Sequence, residues 1–160
     1  MSYCGICCLC GLAASAMTTY YGPGAAGSGV AELIGYMNGV NYPNFIGVNT
    51  LLTKVFGTVA AVAGKLAIGK EGPLAHIGAN MAVIISYLPG FSLMRNDRVK
   101  RRIVAAGGSA GAASAFGSPI GGALFSYEMS LDGSFWNFKM LWNTFITCSF
   151  SVLTLSLIHI

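Results

Sequence analysis

Five apolar stretches, at about residues 3–20, 45–69, 73–91, 103–127 and 134–158, fill most of this 160-residue chain. A helix needs roughly 20 apolar residues to cross the hydrocarbon of a bilayer, and each stretch is near that length. Lipid offers no partner to a backbone amide, so stretches of this kind must fold as helices or leave polar groups stranded. Charge is scarce to match. Only 9% of the residues are charged, 54% are hydrophobic, and the mean hydropathy is +0.66, whereas soluble domains carry about a quarter charged residues. The expected architecture is therefore an all-α polytopic membrane protein with about five to seven full or partial helices, several of them interrupted by glycine and proline. No basic N-terminal region precedes a short apolar core and cleavage site, so no removable signal peptide is expected.

The net charge is +4, and Arg95, Arg98, Lys100, Arg101 and Arg102 supply more than half of the basic residues. By the positive-inside rule this loop faces the cytoplasm. It is read as a topology signal, because nucleic-acid binding would need a basic surface that so charge-poor a chain cannot supply. Cys4, Cys7, Cys8 and Cys10 crowd one apolar segment and Cys148 stands alone. Zinc sites pair two separated Cys-x-x-Cys units or add histidines. Neither pattern occurs, so the cysteines are read as small packing residues, with no metal and no disulfide framework.

The 22 glycines lie among Ala, Ser, Leu and Ile. Gly107 with Gly111, and Gly117 with Gly121, have the small-xxx-small spacing that lets membrane helices approach closely. Two further glycine-rich turns differ, because each puts a polar or acidic residue directly before an apolar segment. They are Gly27-Ser28-Gly29 and Gly69-Lys70-Glu71-Gly72-Pro73. Ser28 suits the N-cap of a helix running to about Asn38. Pro73 suits a first helical turn, where its missing N–H is no loss.

Helix N-termini of this kind can hold an anion without a full cation. Their free N–H groups and about half a positive charge from the macrodipole face the ligand. Weak binding matters for transport, since a lysine in contact would hold chloride too firmly to release it. Broken helices at membrane depth are tolerated where they line a cavity or are buried in protein, so Ser28 and the amides of Gly29 and Gly72 are candidate anion contacts. Glu71 is an acid within an apolar region, and such acids are functional candidates. It can act as a gate that occupies the anion position and swings out on protonation, or simply as a first-turn acid that complements the dipole.

Gly69-Lys70-Glu71-Gly72-Pro73, followed by Leu74-Ala75-His76-Ile77-Gly78-Ala79, resembles the gating-glutamate motif of the CLC family of voltage-gated chloride channels and chloride/proton exchangers. Residues 26–32, Ala-Gly-Ser-Gly-Val-Ala-Glu, resemble its chloride-coordinating Gly-Ser-Gly-Ile-Pro-Glu motif. Residues 115–128, from Ala115-Phe116-Gly117-Ser118-Pro119 to Ser126-Tyr127-Glu128, resemble its dimer-side helix. The resemblance covers about residues 3–154. It implies a homodimer with one anion pathway per subunit, each pathway built from two inverted halves, of which this chain is the first. It further implies that the Ser28 hydroxyl reaches the central chloride, that Glu71 is the external gate, and that residues 118–131 and 135–154 contribute to the dimer interface. Serine at position 28 favours chloride, since nitrate-selective plant relatives resemble this motif with proline there. Ala31 departs from the family's usual proline.

Phe125-Ser126-Tyr127-Glu128-Met129 resembles the channel members of the family, which keep the first glutamate and follow it with an apolar residue. Proton-coupled members put a second glutamate where Met129 stands. Channel-like chloride transport is the expected function, with a chloride/proton antiporter of the same family as the alternative. A phosphate-binding enzyme would need the spacing Gly-x4-Gly-Lys-Ser/Thr, which the 69–72 turn lacks, and a purely structural membrane protein leaves both glycine-broken turns unexplained. No enzymatic activity and no cofactor beyond the transported chloride are expected. The partners expected are lipid and a second copy, in the plasma membrane or an organelle membrane. His76 is read as a packed, hydrogen-bonded histidine. Residues 155–160, His159 included, resemble the translation of a transposon end used in sequencing libraries and are read as a non-native tail on a partial transmembrane domain at 1–154.

Overall fold

The computed structural model describes residues 2–88, 96–130 and 136–158. Arg95 of the basic loop, the end of the third apolar stretch at 89–91, residues 131 and 135 of the expected dimer segments, and His159 lie outside them. Among the described residues there are seven α-helices and no strand: α1 (Ser2–Tyr20), α2 (Val30–Met37), α3 (Val48–Ala63), α4 (Glu71–Ser86), α5 (Asp97–Phe116), α6 (Pro119–Met129) and α7 (Phe138–Ile158), with a 3-10 turn at Pro23–Ala25 between the first two. Within α1 and α7, Tyr3–Tyr20 and Phe138–Ile158 are long and apolar enough to cross a membrane. The eight-residue α2 is too short to do so. Helix α7 continues without a break through Leu155 to Ile158.

Local chemistry sets the ends. The apolar stretch at 103–127 divides because Gly117 takes a left-handed φ of 65° and Ser118 then caps α6, its Oγ accepting from the Gly121 N–H at 3.1 Å with Pro119 at the first helical position. Asn96 caps α5 in the same way, its side chain accepting from the Arg98 N–H at 3.3 Å. The start of α3 is tied across to α4, where Asn80 Oδ1 accepts from the Gly47 N–H at 2.9 Å.

In a bilayer, apolar surface gains little by leaving lipid for protein, so helices associate through close van der Waals packing and hydrogen bonds. Helices α4 and α5 meet this way along a glycine seam. A methyl added to Gly107 would come within 2.5 Å of the Ala82 Cβ and the Gly78 carbonyl oxygen, and one added to Gly111 would run into the Leu74 carbonyl. Among the described residues, the pair Gly117 and Gly121 packs no helices together. Gly117 belongs to the turn and Gly121 lies beside Ser118, and it is Gly122 that seats α6 against Ser109 and Ala113. Helix α7 joins α5 through Ser151, whose Oγ lies 2.6 Å from Ser114 Oγ and donates to the Ala110 carbonyl at 3.1 Å. Cys7 and Cys10 of α1 pack against Gly64 at the end of α3. The core gathers Leu33, Tyr36, Phe45, Ala75, Val83, Val104, Met129 and Met140, which puts the short α2 in the middle of the bundle.

Candidate functional site

Two helix N-termini converge. Helix α2 starts at Val30, and its first internal bond runs from the Leu33 N–H to the Gly29 carbonyl at 3.0 Å. Helix α4 starts at Glu71, and its first runs from the Leu74 N–H to the Lys70 carbonyl at 3.0 Å. The N–H groups of Ala31 and Glu32, and of Glu71 and Gly72, precede those bonds and are the unpaired donors of a helix start. The heads touch: a methyl at Gly72 would come 2.8 Å from Ser28 Cβ, and one at Gly29 would come 2.5 Å from His76 Nδ1. The structure thus brings Ser28, Gly29 and Gly72 together, with the positive ends of two macrodipoles on the same spot.

The cap of α2 is Gly29, with a left-handed φ of 79°, and not Ser28. That left-handed backbone keeps position 29 out of the helix, so the helix starts one residue later than a Ser28 cap would give, and contact with His76 leaves no space for a side chain there. Ser28 reaches the Val30 N–H only at a long 3.4 Å. As an acceptor in that bond it keeps its own proton to donate. Ser28 is exposed to a cleft of about 480 Å³ lined by Gly27, Lys54, Thr58, Gly69 and Pro73 among others.

Glu71 occupies the first position of α4 and is half-buried, with Pro73 in the same turn. Its carboxylate folds back against Gly69, where any side chain would collide with Oε2. His76 is fully buried. Its Nε2 lies 3.0 Å from the Phe45 carbonyl, which can only accept, so that nitrogen carries the proton, and the ring stacks on Phe45 at 4.3 Å. A packed, hydrogen-bonded histidine is what position 76 holds, with Nδ1 facing Gly29.

Met129 stands apart, at the far end of α2. It is 3% exposed in the apolar core, and its carbonyl accepts from Asn38 Nδ2 at 3.3 Å. Helix α2, roughly 12 Å long from its eight residues, thus runs from the Ser28 site to Met129. Its C-terminal end meets the basic face, since Arg101 lies beside Gly39 and Lys100 donates to the Tyr87 hydroxyl at 2.9 Å. Glu128, the neighbour of Met129, is exposed.

Lys54 belongs to the site and has no counterpart in the motifs. It lies within α3, is 3% exposed, and its ammonium donates to the carbonyls of Ala25 at 2.9 Å and Gly27 at 2.7 Å. The available signal was a lysine in the interior of the apolar stretch 45–69, well before the Gly64-Lys65 turn that ends its helix, because intramembrane cations are costly to bury.

The chain matches the family described as voltage-gated chloride channel over residues 10–159. It is 36% identical to the chloride channel protein CLC-a of Arabidopsis thaliana over 156 residues, covering 90% of this chain and 20% of that protein. It is 39% identical to the H(+)/Cl(-) exchange transporter 7 of Homo sapiens over 156 residues, covering 92% and 19%. With the chloride channel protein D of Dictyostelium discoideum it shares 38% identity over 154 residues, covering 91% and 15%. The chain spans a fifth or less of the length of these relatives.

Proposed function

We propose, for a chain that belongs to the voltage-gated chloride channel family, that it forms one half of a transmembrane chloride pathway with channel-like behaviour in a longer protein. The observation that carries this is the meeting of Ser28 with Gly72 at the heads of α2 and α4. Chloride sits there, held by the Ser28 hydroxyl and the unpaired N–H groups of both first turns, under partial charges that bind it weakly enough for release. Glu71, hinged beside Gly69, competes for the same position as a carboxylate. It leaves when chloride displaces it or when protonation removes its charge.

Passive conduction is supported by Met129. A thioether holds no proton to exchange near neutral pH, and this one is enclosed by the core. The antiporter alternative would draw its internal acid from another group, of which Glu128 is the nearest in sequence. A second copy is the proposed partner of α6 and α7, where Ile120, Leu124 and Tyr127 form one exposed stripe and Trp142 and Phe150 another apolar surface. Membrane lipid covers the remaining apolar surface. The pathway needs no cofactor and performs no enzymatic step.

The test is the complete parent protein in planar bilayers, with a proton gradient imposed and chloride kept symmetric. Chloride current with a reversal potential at zero is expected. A displacement that follows the proton gradient would make the protein an exchanger, and absence of anion current would overturn chloride transport altogether.

A further inference from the structure

We infer that Lys54 is a positioning residue that clamps the turn ahead of α2 and thereby fixes where Ser28 presents its hydroxyl. Ser28 stands between two glycines in left-handed conformations, Gly27 at φ 68° and Gly29 at φ 79°. A side chain at Gly27 would have nothing within 4 Å among the described residues, and Gly27 is exposed, so van der Waals packing does little to hold the turn at that residue, next to Ser28 where it meets Gly72. Backbone hydrogen bonds hold the two ends of the turn, the Ala26 N–H to the Pro23 carbonyl at 3.2 Å and the Leu33 N–H to the Gly29 carbonyl at 3.0 Å, and among the described residues no backbone donor reaches the Gly27 carbonyl between them. The Lys54 ammonium bonds the carbonyls of Ala25 and Gly27 at 2.9 and 2.7 Å, straddling Ala26 and ending one residue before Ser28. Charge-assisted bonds of this length are about twice as strong as neutral ones.

The arrangement also explains how a lysine and a weakly bound anion can coexist. Both ammonium bonds go to carbonyl oxygens, whose negative ends offset part of its charge before any anion meets it. Lys54 lines the same cleft as Ser28, with its ammonium turned to the carbonyls of Ala25 and Gly27. It acts on the anion through Ser28, and this rests on the reading of Ser28 as the anion's hydroxyl donor.

The experiment has two arms on the complete parent protein. In the first, bi-ionic reversal potentials give chloride-over-nitrate preference for wild type, Lys54→Met, Lys54→Arg, Ser28→Gly and the Lys54→Met/Ser28→Gly double variant. Lys54→Met should lower the preference about five- to tenfold, the scale of one net hydrogen bond. Lys54→Arg, which keeps charge and donors, should largely retain it, and the double variant should fall no further than Ser28→Gly alone. A changed conductance with unchanged preference, or additive shifts, would mean that Lys54 acts only through its field and would overturn the inference. The second arm needs no transport. Amide hydrogen exchange across residues 22–30 should rise severalfold in Lys54→Met and not in Lys54→Arg, with α4 unaffected, and equal exchange in that segment would also overturn the inference. If Lys54→Met does not yield monodisperse protein, Lys54→Gln serves in both arms. A wild type that conducts no anion defeats the transport reading while the exchange arm still decides the clamp.

Discussion

Glu71 opens α4 and Ser28 lies just ahead of α2, and the proposed pathway divides one task between them. On that reading the acid controls whether the anion position is free, and the hydroxyl influences what fills it. In the complete protein, Glu71→Gln should therefore conduct constitutively and lose most of its dependence on external pH. The sign follows from charge: if Glu71 gates as proposed, losing its charge frees the site, so wild-type current should rise on external acidification, whereas an amide has no charge to lose. Currents from Glu71→Gln that keep the wild-type pH profile would refute the gate. Ser28→Pro should move preference from chloride towards nitrate, because the hydroxyl donor disappears. Bi-ionic reversal potentials would register the change, and identical values in the two proteins would count against Ser28 as the donor.

Between elements, the decisive contacts are those with no room in them. Gly107→Leu should separate α4 from α5, since its side chain would enter Gly78 and Ala82. Overpacking of this kind costs about 1–3 kcal/mol and sometimes more, so the melting temperature in detergent should drop markedly. Gly117→Ala meets no neighbour and pays only for its left-handed φ, about 1–2 kcal/mol. A melting temperature for Gly107→Leu no lower than that of Gly117→Ala would contradict the seam. The same contrast marks how far the sequence could be read. Helices α1, α4 and α7 were legible because long apolar runs and Pro73 carry their own local signals. Gly107 and Gly111 were legible from spacing, while Gly117 and Gly121 had the same spacing and a different job, because Ser118-Pro119 ends one helix and starts another between them. The cap of α2 was placed one residue early because Gly29 takes a left-handed φ, at a position packed against His76, which lies far away in sequence. Lys54 was missed because its partners are backbone carbonyls, which every residue has and no motif records.

Across the whole molecule, α2 spans from the proposed anion site to the basic face, where Arg101 lies beside Gly39. If Arg98, Lys100, Arg101 and Arg102 mark the cytoplasmic side, a single cysteine introduced at Arg102 in an otherwise cysteine-free protein reacts with an impermeant maleimide only from inside. Labelling from outside would invert the proposed orientation. The 160 residues alone supply only half of the proposed pathway, so liposomes containing just this chain should release chloride no faster than empty ones. Flux above that control would defeat the half-pathway reading. The contact of Gly72 with Ser28, and of Gly29 with His76, has an evolutionary corollary. Two helix heads share a single volume, so neither position can acquire bulk unless its partner gives some up. In a library randomised at 28, 29, 72 and 76, functional clones should be epistatic: alanine at 72 tolerated when 28 shrinks to glycine, and a side chain at 29 recovered only where 76 has become smaller.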